Sequence, residues 1–153
     1  MASSCFEKAC DLLSRRPHFS AELGEKLARR GHDESVVAAT LEKLAELGYL
    51  DDAGCARSLA AGPLSRRGYG PLRMRAELER RGAPEEEAAA AVAAVFAEGE
   101  EKAARQVAER WLSRRAATGR TRAALARHLD RKGFGTGVVL RLARELARPD
   151  DSV

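Results

Sequence analysis

An all-α fold is predicted: three tandem three-helix, helix-turn-helix-like repeats in an elongated, curved array. Three observations predict it. Ala, Leu, Glu and Arg dominate the chain, and all four are good helix formers. β-branched residues, which favour strands, are sparse. Finally, the sequence repeats with a period of 51 residues, and apolar residues in the first helices of the first and third repeats recur at i, i+3, i+4 and i+7. The expected repeats are 1–52, 53–102 and 103–148, with 149–153 as a disordered tail. A core of Ala, Leu and Val is thin, so neighbouring repeats must abut to bury enough surface.

The first helix of repeat one is expected over 4–15, with Phe6, Ala9, Cys10 and Leu13 on one face. Its third-repeat counterpart places Ala104, Val107, Ala108 and Trp111 on one face. The second helices carry the pairs Leu23/Leu27, Met74/Leu78 and Leu125/Leu129, each member 51 residues from its equivalent. They end at Gly31, Gly82 and Gly133, also 51 apart, where a left-handed glycine closes a helix without a Cβ clash. The third helices start near Asp33, Pro84 and Thr136, as N-cap or first-turn residues. Val37, Ala88 and Val139 align in them, as do Leu44, Val95 and Leu146. Glu85, Glu86 and Glu87 fall at the positive end of the helix dipole, which gives them a structural role. Gly48 ends the third helix of repeat one, and Asp52 is expected to cap the next helix. Gly62-Pro63 should end or kink that helix, because Pro lacks the amide donor. The link from Ala116 to Gly119 is small and flexible in character.

Charge is unevenly spread. The net charge is +4. Residues 1–52 carry 7 basic and 10 acidic side chains, 53–102 carry 8 and 8, and 103–153 carry 12 and 5. The excess of cations late in the chain points to a polyanionic or acidic partner. An Arg-rich genome would give the same bias, since Arg outnumbers Lys 22 to 5. Cys5, Cys10 and Cys55 are odd in number and form no C-x-x-C pair, and His18, His32 and His128 lack ligand spacing. No metal, cofactor or disulfide is expected. There is no glycine-rich phosphate loop: Gly68-Tyr-Gly70 lacks the strand context and spacing. Asp51-Asp52 and Asp150-Asp151 sit where burial cannot tune an acid. No enzyme is expected. With no long apolar run, neither a signal peptide nor a membrane span is expected, which implies a cytoplasmic protein.

The candidate binding residues are Arg66, Arg67, Arg73, Arg75, Arg114, Arg115, Arg120, Arg122, Arg127, Arg131 and Lys132. Arg recognises phosphate through a planar two-pronged donor. Arg127 and Arg131 are one turn apart, on a face away from Leu125 and Leu129. Local pairing competes with this reading: Arg73 with Glu77 and Arg75 with Glu79 are also one turn apart. Aromatics do not interleave with the cations, so a single-strand stacking platform is not expected. Tyr69 is the one aromatic candidate, and Tyr49, Phe96, Trp111 and Phe134 are assigned to the core.

Four segments carry a family resemblance. They are Phe19-Ser-Ala-Glu-Leu-Gly-Glu-Lys-Leu-Ala-Arg-Arg-Gly31, Leu47-Gly-Tyr-Leu-Asp-Asp52, Arg67-Gly-Tyr-Gly-Pro-Leu-Arg73 and Glu77-Leu-Glu-Arg-Arg-Gly82. In order and spacing they resemble the RecX family of recombination regulators, and Lys132-Gly-Phe134 resembles its third-repeat ending. The resemblance implies tandem three-helix repeats and no catalysis. It also implies binding in the groove of the RecA recombinase filament on DNA, restraining filament growth, ATP hydrolysis and strand exchange. The expected partners are therefore that filament and single- and double-stranded DNA, bound by a monomer. Two departures stand out. Cys55 replaces a usual aromatic, a loss on the order of 2–4 kcal/mol if uncompensated. Gly62-Pro63 interrupts a helix that the family continues. The competing readings are a DNA-binding transcription regulator with tandem helix-turn-helix units, and a helical scaffold for another protein.

Overall fold

The computed structural model describes residues 3–150. Nine α-helices occur among them: α1 (Cys5–Arg15), α2 (Ser20–Arg29), α3 (Glu34–Glu46), α4 (Asp52–Leu59), α5 (Pro71–Arg80), α6 (Glu85–Val95), α7 (Glu101–Ser113), α8 (Arg122–Lys132) and α9 (Thr136–Leu146). A single bridge between Thr121 and Arg148 is the only strand-like pairing among the described residues. The fold is all-α, as composition and periodicity required. The surface area of 9409 Å² exceeds by about a quarter the ~7,600 Å² that size scaling gives for a compact chain of this mass. The molecule is therefore extended.

Packing is mainly local: α1–α3, α4–α6 and α7–α9 each gather around their own core. The first core holds Ala9, Leu12, Leu23, Leu27, Val37 and Leu44. The second holds Met74, Leu78, Ala88 and Val92, and the third Trp111, Leu125, Leu129, Phe134 and Val139. Each fully buried Leu stabilises its group by ~1.5–3 kcal/mol. On α1 the buried residues are Cys5, Ala9 and Leu12. Phe6, Cys10 and Leu13, expected on the core face, pack at its edge. Two aromatics cross between groups. Phe19 comes from the α1–α2 link but lies in the second core. Phe96 touches both the second and third cores.

The repeated glycines act as the spacing predicted. Gly31, Gly82 and Gly133 have φ of 88°, 106° and 90°. In each case the amide of the next residue turns back onto the helix. His32, Ala83 and Phe134 donate to the carbonyls of Leu27, Leu78 and Leu129 at 3.4, 2.9 and 3.3 Å. The residue that anchors the core thus also accepts the closing hydrogen bond. This double role accounts for the fixed register between Leu and Gly in α2, α5 and α8.

Three details differ from expectation. Asp51, not Asp52, caps α4, accepting from the Gly54 amide at 3.0 Å. Asp52 instead reaches across to α2, where its Oδ1 accepts from the Ser20 amide (2.8 Å) and hydroxyl (3.1 Å). Tyr49, assigned to the core, is 60% exposed. And Pro63 neither ends nor sharply breaks its helix. The chain widens into a π-helical turn over Ala60–Leu64, and the Ser65 hydroxyl donates to the Ala60 carbonyl at 2.6 Å. A π-turn absorbs the missing proline donor. A cavity of about 680 Å³ opens beside it, lined by Phe19, Tyr49, Cys55, Leu59 and Pro63 among others. The small Cys55 side chain leaves volume there that an aromatic would fill.

The second helices meet end to end. The α5 N-terminus receives the α8 C-terminus: the Gly70 amide donates to the Lys132 carbonyl (2.6 Å) and the Leu72 amide to the Gly133 carbonyl (3.0 Å). Arg73 adds a bond to the Arg131 carbonyl at 3.0 Å. Unsatisfied amides of one helix meet unsatisfied carbonyls of the other, and the two dipoles align. Only glycine permits this approach, since a Cβ on Gly70 would lie 2.6 Å from the Gly133 backbone. One period earlier, Gly82 at the end of α5 lies against Phe19, Ala21 and Glu22 at the start of α2. The row therefore runs α8, α5, α2. At its free start, the amides of α8 are closed by the C-terminal stretch: Arg122 donates to the Arg148 carbonyl (2.9 Å) and Ala123 to Asp150 (3.0 Å). Arg148 and Asp150 are thus tied down, while 151–153 of the expected tail, Asp151 included, lie outside the described residues.

Candidate nucleic-acid interface

The end-to-end joint of α5 and α8 brings three basic segments around one cleft of about 490 Å³. Arg66 and Arg67 come from the turn that follows the π-helical segment. Gly68, at φ 73°, directs the chain against α7, and a Cβ there would lie 3.0 Å from Val107. Helix α7 contributes Arg110 and Trp111, the turn that follows it Arg114 and Arg115, and α8 His128 and Lys132. No carboxylate lines the cleft. Among the described residues, none of these Arg and Lys side chains forms an ion pair.

The cleft floor is a stack. The Arg115 guanidinium lies 4.6 Å from the Trp111 ring centre. His128 also stacks on Trp111, with centroids 5.4 Å apart and planes 25° from parallel. The buried Trp111 indole N–H has no hydrogen-bond partner. Lys132 is held by donation to the Arg67 carbonyl at 2.9 Å. Burial pushes the His128 pKa down to about 4, with Lys132, Arg131 and Arg115 adding to the effect. His128 is therefore neutral at physiological pH. Like charges held this close repel one another, so a bound anion would relieve a strain that the protein itself leaves unrelieved.

The candidate residues fall into distinct places. Arg66, Arg67, Arg114, Arg115 and Lys132 meet at the cleft. Arg73 is exposed beside it, its guanidinium 4.3 Å from the Tyr69 ring. It does not pair with Glu77, which is taken by Arg80 at 2.8 Å. Tyr69 itself is 8% exposed, and Arg67 donates to its hydroxyl at 3.5 Å. Arg75 bridges Glu79 at 3.0 Å and Glu85 at 3.1 Å, which removes it from the free cations. Arg120 donates to the Arg115 carbonyl at 2.9 Å and so holds the loop before α8. The Arg122 Nε is buried without a partner. Arg127 and Arg131 are exposed on α8. Sequence reasoning missed Arg110 and His128. Arg110 was open to detection, because it stands one turn from Arg114 and next to the buried Trp111. His128 was not, because its neighbours come from another helix.

Elsewhere the charged groups pair. Arg105 bridges Glu145 at 2.7 Å and Glu101 at 3.4 Å, and Arg141 also engages Glu101. The buried His18 is likewise satisfied: its Nδ1 lies 2.9 Å from the Arg16 carbonyl and its Nε2 2.9 Å from the Lys26 ammonium. Among the described residues no helix is long and apolar enough to cross a membrane, and no group of His, Cys, Asp and Glu could hold a metal ion.

These features define a class: an extended all-α protein of linked helical groups with a carboxylate-free basic joint. The sequence comparisons then give the family. "RecX, first three-helix domain" matches residues 5–44 and "RecX, second three-helix domain" matches residues 51–92. The regulatory protein RecX of Thermobifida fusca is 34% identical over 138 residues, covering 88% of this chain and 74% of that protein. The regulatory protein RecX of Pseudomonas fluorescens is 32% identical over 134 residues, covering 88% and 86%. The chain belongs to the RecX family. Matches to the regulatory proteins RecX of Halorhodospira halophila (46% identical) and Vibrio cholerae (42% identical) span about half of this chain and half of theirs. In fold, the chain is similar to RecX from Lactobacillus salivarius, with a TM-score of 0.78 at 19% identity, covering 93% of this chain and 94% of that one.

Proposed function

We propose that this chain is a regulator that binds the RecA recombinase filament on DNA and restrains its growth, ATP hydrolysis and strand exchange. It acts without catalysis of its own, as a cytoplasmic monomer of three tandem units, 1–52, 53–102 and 103–148. The observation that carries the reading is the cleft: Arg66, Arg67, Arg110, Arg114, Arg115 and Lys132 converge with no carboxylate among them. Such a site suits a phosphate backbone, where release of condensed counterions drives binding. Units two and three meet the DNA held by the filament, single- or double-stranded, and the acidic first unit faces the recombinase subunits.

The alternative of a sequence-reading helix-turn-helix regulator is less well supported. Helices that read bases usually present their N-terminal residues to the major groove. The α5 N-terminus is closed by the carbonyls of Lys132 and Gly133, and that of α8 by Arg148 and Asp150.

The test is ATP hydrolysis by RecA on single-stranded DNA, with the protein added up to stoichiometric amounts. The rate is expected to fall by at least about half as the added protein saturates the filament. An unchanged rate at that ratio overturns the reading.

A further inference from the structure

We propose that the cleft between α7, α8 and the turn after the π-helical segment binds a backbone phosphodiester together with a proton, which is taken up by His128. The inference rests on the proposed DNA-binding function and adds to it a defined pocket and a proton linkage.

Geometry supports it first. His128 is not a surface histidine: it is sandwiched into the cleft wall against Trp111, which is itself stacked under Arg115. The charged groups around it all have one sign. Arg131 and Lys132 act on it from its own helix and Arg115 from the turn after α7. Arg110 from α7, Arg114 from the turn after it, and Arg66 and Arg67 from the turn after the π-helical segment line the same cleft. No carboxylate acts on His128. With the cleft empty, the surrounding cations and burial favour the neutral ring, at a pKa of about 4. A phosphate placed among those cations reverses the sign of the local field. An opposite charge within hydrogen-bonding range raises a pKa by ~1–3 units. The imidazolium then supplies one more donor to the anion.

The sign of the pH dependence follows. The occupied cleft binds a proton more tightly than the empty one, so affinity rises as pH falls through the pKa of the occupied state. It levels off only below about pH 4, where the empty protein is protonated as well. A shift of about two units makes binding about tenfold tighter near pH 5 than near pH 7.5.

The experiment measures binding of a short oligo-thymidylate by fluorescence anisotropy across that pH range at constant ionic strength. Thymine carries no group that titrates there, and the phosphodiester stays ionised. The wild-type protein is expected to tighten about tenfold from about pH 7.5 to about pH 5, and His128→Gln less than about threefold. Equal tightening in both proteins overturns the inference while leaving the DNA-binding reading intact. No binding by the wild type at low salt overturns both. Because His128→Gln also removes the stack on Trp111, the wild type supplies a second reading. The NMR titration midpoint of the His128 ring, assigned by its absence in His128→Gln, is expected to rise by at least about one unit when the oligonucleotide saturates the protein. An unmoved midpoint overturns the proposal.

Discussion

Replacing Arg110, Arg114 and Arg115 together by Gln is expected to weaken binding to single-stranded DNA about a hundredfold. Three charge-assisted contacts at about 1 kcal/mol each account for that loss. The slope of log affinity against log salt should shrink by ~2, since each phosphate contact on a single strand contributes ~0.7. Stability should fall by only ~0.5–1 kcal/mol, the worth of the Arg115 contact with Trp111, because Arg110, Arg114 and Arg115 are exposed and none is ion-paired. Removing like charges even relieves repulsion. The control is Arg75→Gln. It deletes the same kind of charge on a neighbouring helix, but one already committed to Glu79 and Glu85, and it should weaken binding less than about threefold. Salt titrations of the two variants separate a localised site from a diffuse basic surface. If Arg75→Gln were as damaging per charge as the triple variant, the cleft would have no special role.

Gly133→Ala is expected to act through stability and geometry instead. Gly133 has φ 90°, which a Cβ disfavours by ~1 kcal/mol. The added methyl would also overlap the Arg73 backbone nitrogen and Cβ. These are not the tip of a flexible side chain, so the joint between α5 and α8 must separate. The expected cost is about 2–4 kcal/mol, measured by urea denaturation. DNA affinity should fall even though every cation remains, because the joint is what brings Arg67 and Lys132 together. Gly31→Ala provides the comparison. It has a similar φ of 88° but nothing within 4 Å of an added Cβ, so it should cost only about 1 kcal/mol and leave DNA binding unchanged. Equal effects at the two positions would mean that the joint is not tightly packed.

Much of this structure was legible in the sequence, for a specific reason. The core leucines and the closing glycines are linked inside one helix, within a few residues of each other. Leu129 and Gly133 must keep their spacing, since Leu129 both fills the core and accepts the Phe134 amide. Periodicity sees such short-range linkage directly. What joins the helical groups is different in kind. The Lys132 ammonium meets the Arg67 carbonyl across 65 residues, and the Gly70 amide meets the Lys132 carbonyl. Nothing in a local pattern reports those meetings. The basic cleft could therefore be anticipated as a bias in composition but not as a place. His128 illustrates the gap: alone on α8 it looks incidental, and only the arrival of α7 turns it into part of a cationic wall. Tyr49 departs in the opposite direction: assigned to the core, it follows Gly48, which stands at φ 77°, and its ring is 60% exposed. Pro63 departs from expectation as well: the helix is neither ended nor sharply kinked, because a π-turn over Ala60–Leu64 absorbs the proline while Ser65 reaches back to Ala60.

Under the proposed function, the protein recognises DNA as the recombinase filament presents it. Co-sedimentation tests this most directly: the protein is mixed with RecA on single-stranded DNA with ATP, with RecA and ATP alone, and with DNA alone. Saturable co-sedimentation with the assembled filament is expected, at least about tenfold tighter than binding to DNA alone and lost in the Arg110, Arg114 and Arg115 triple variant. Binding to bare DNA as tight as to the filament, or binding to the filament that the triple variant retains in full, would contradict it.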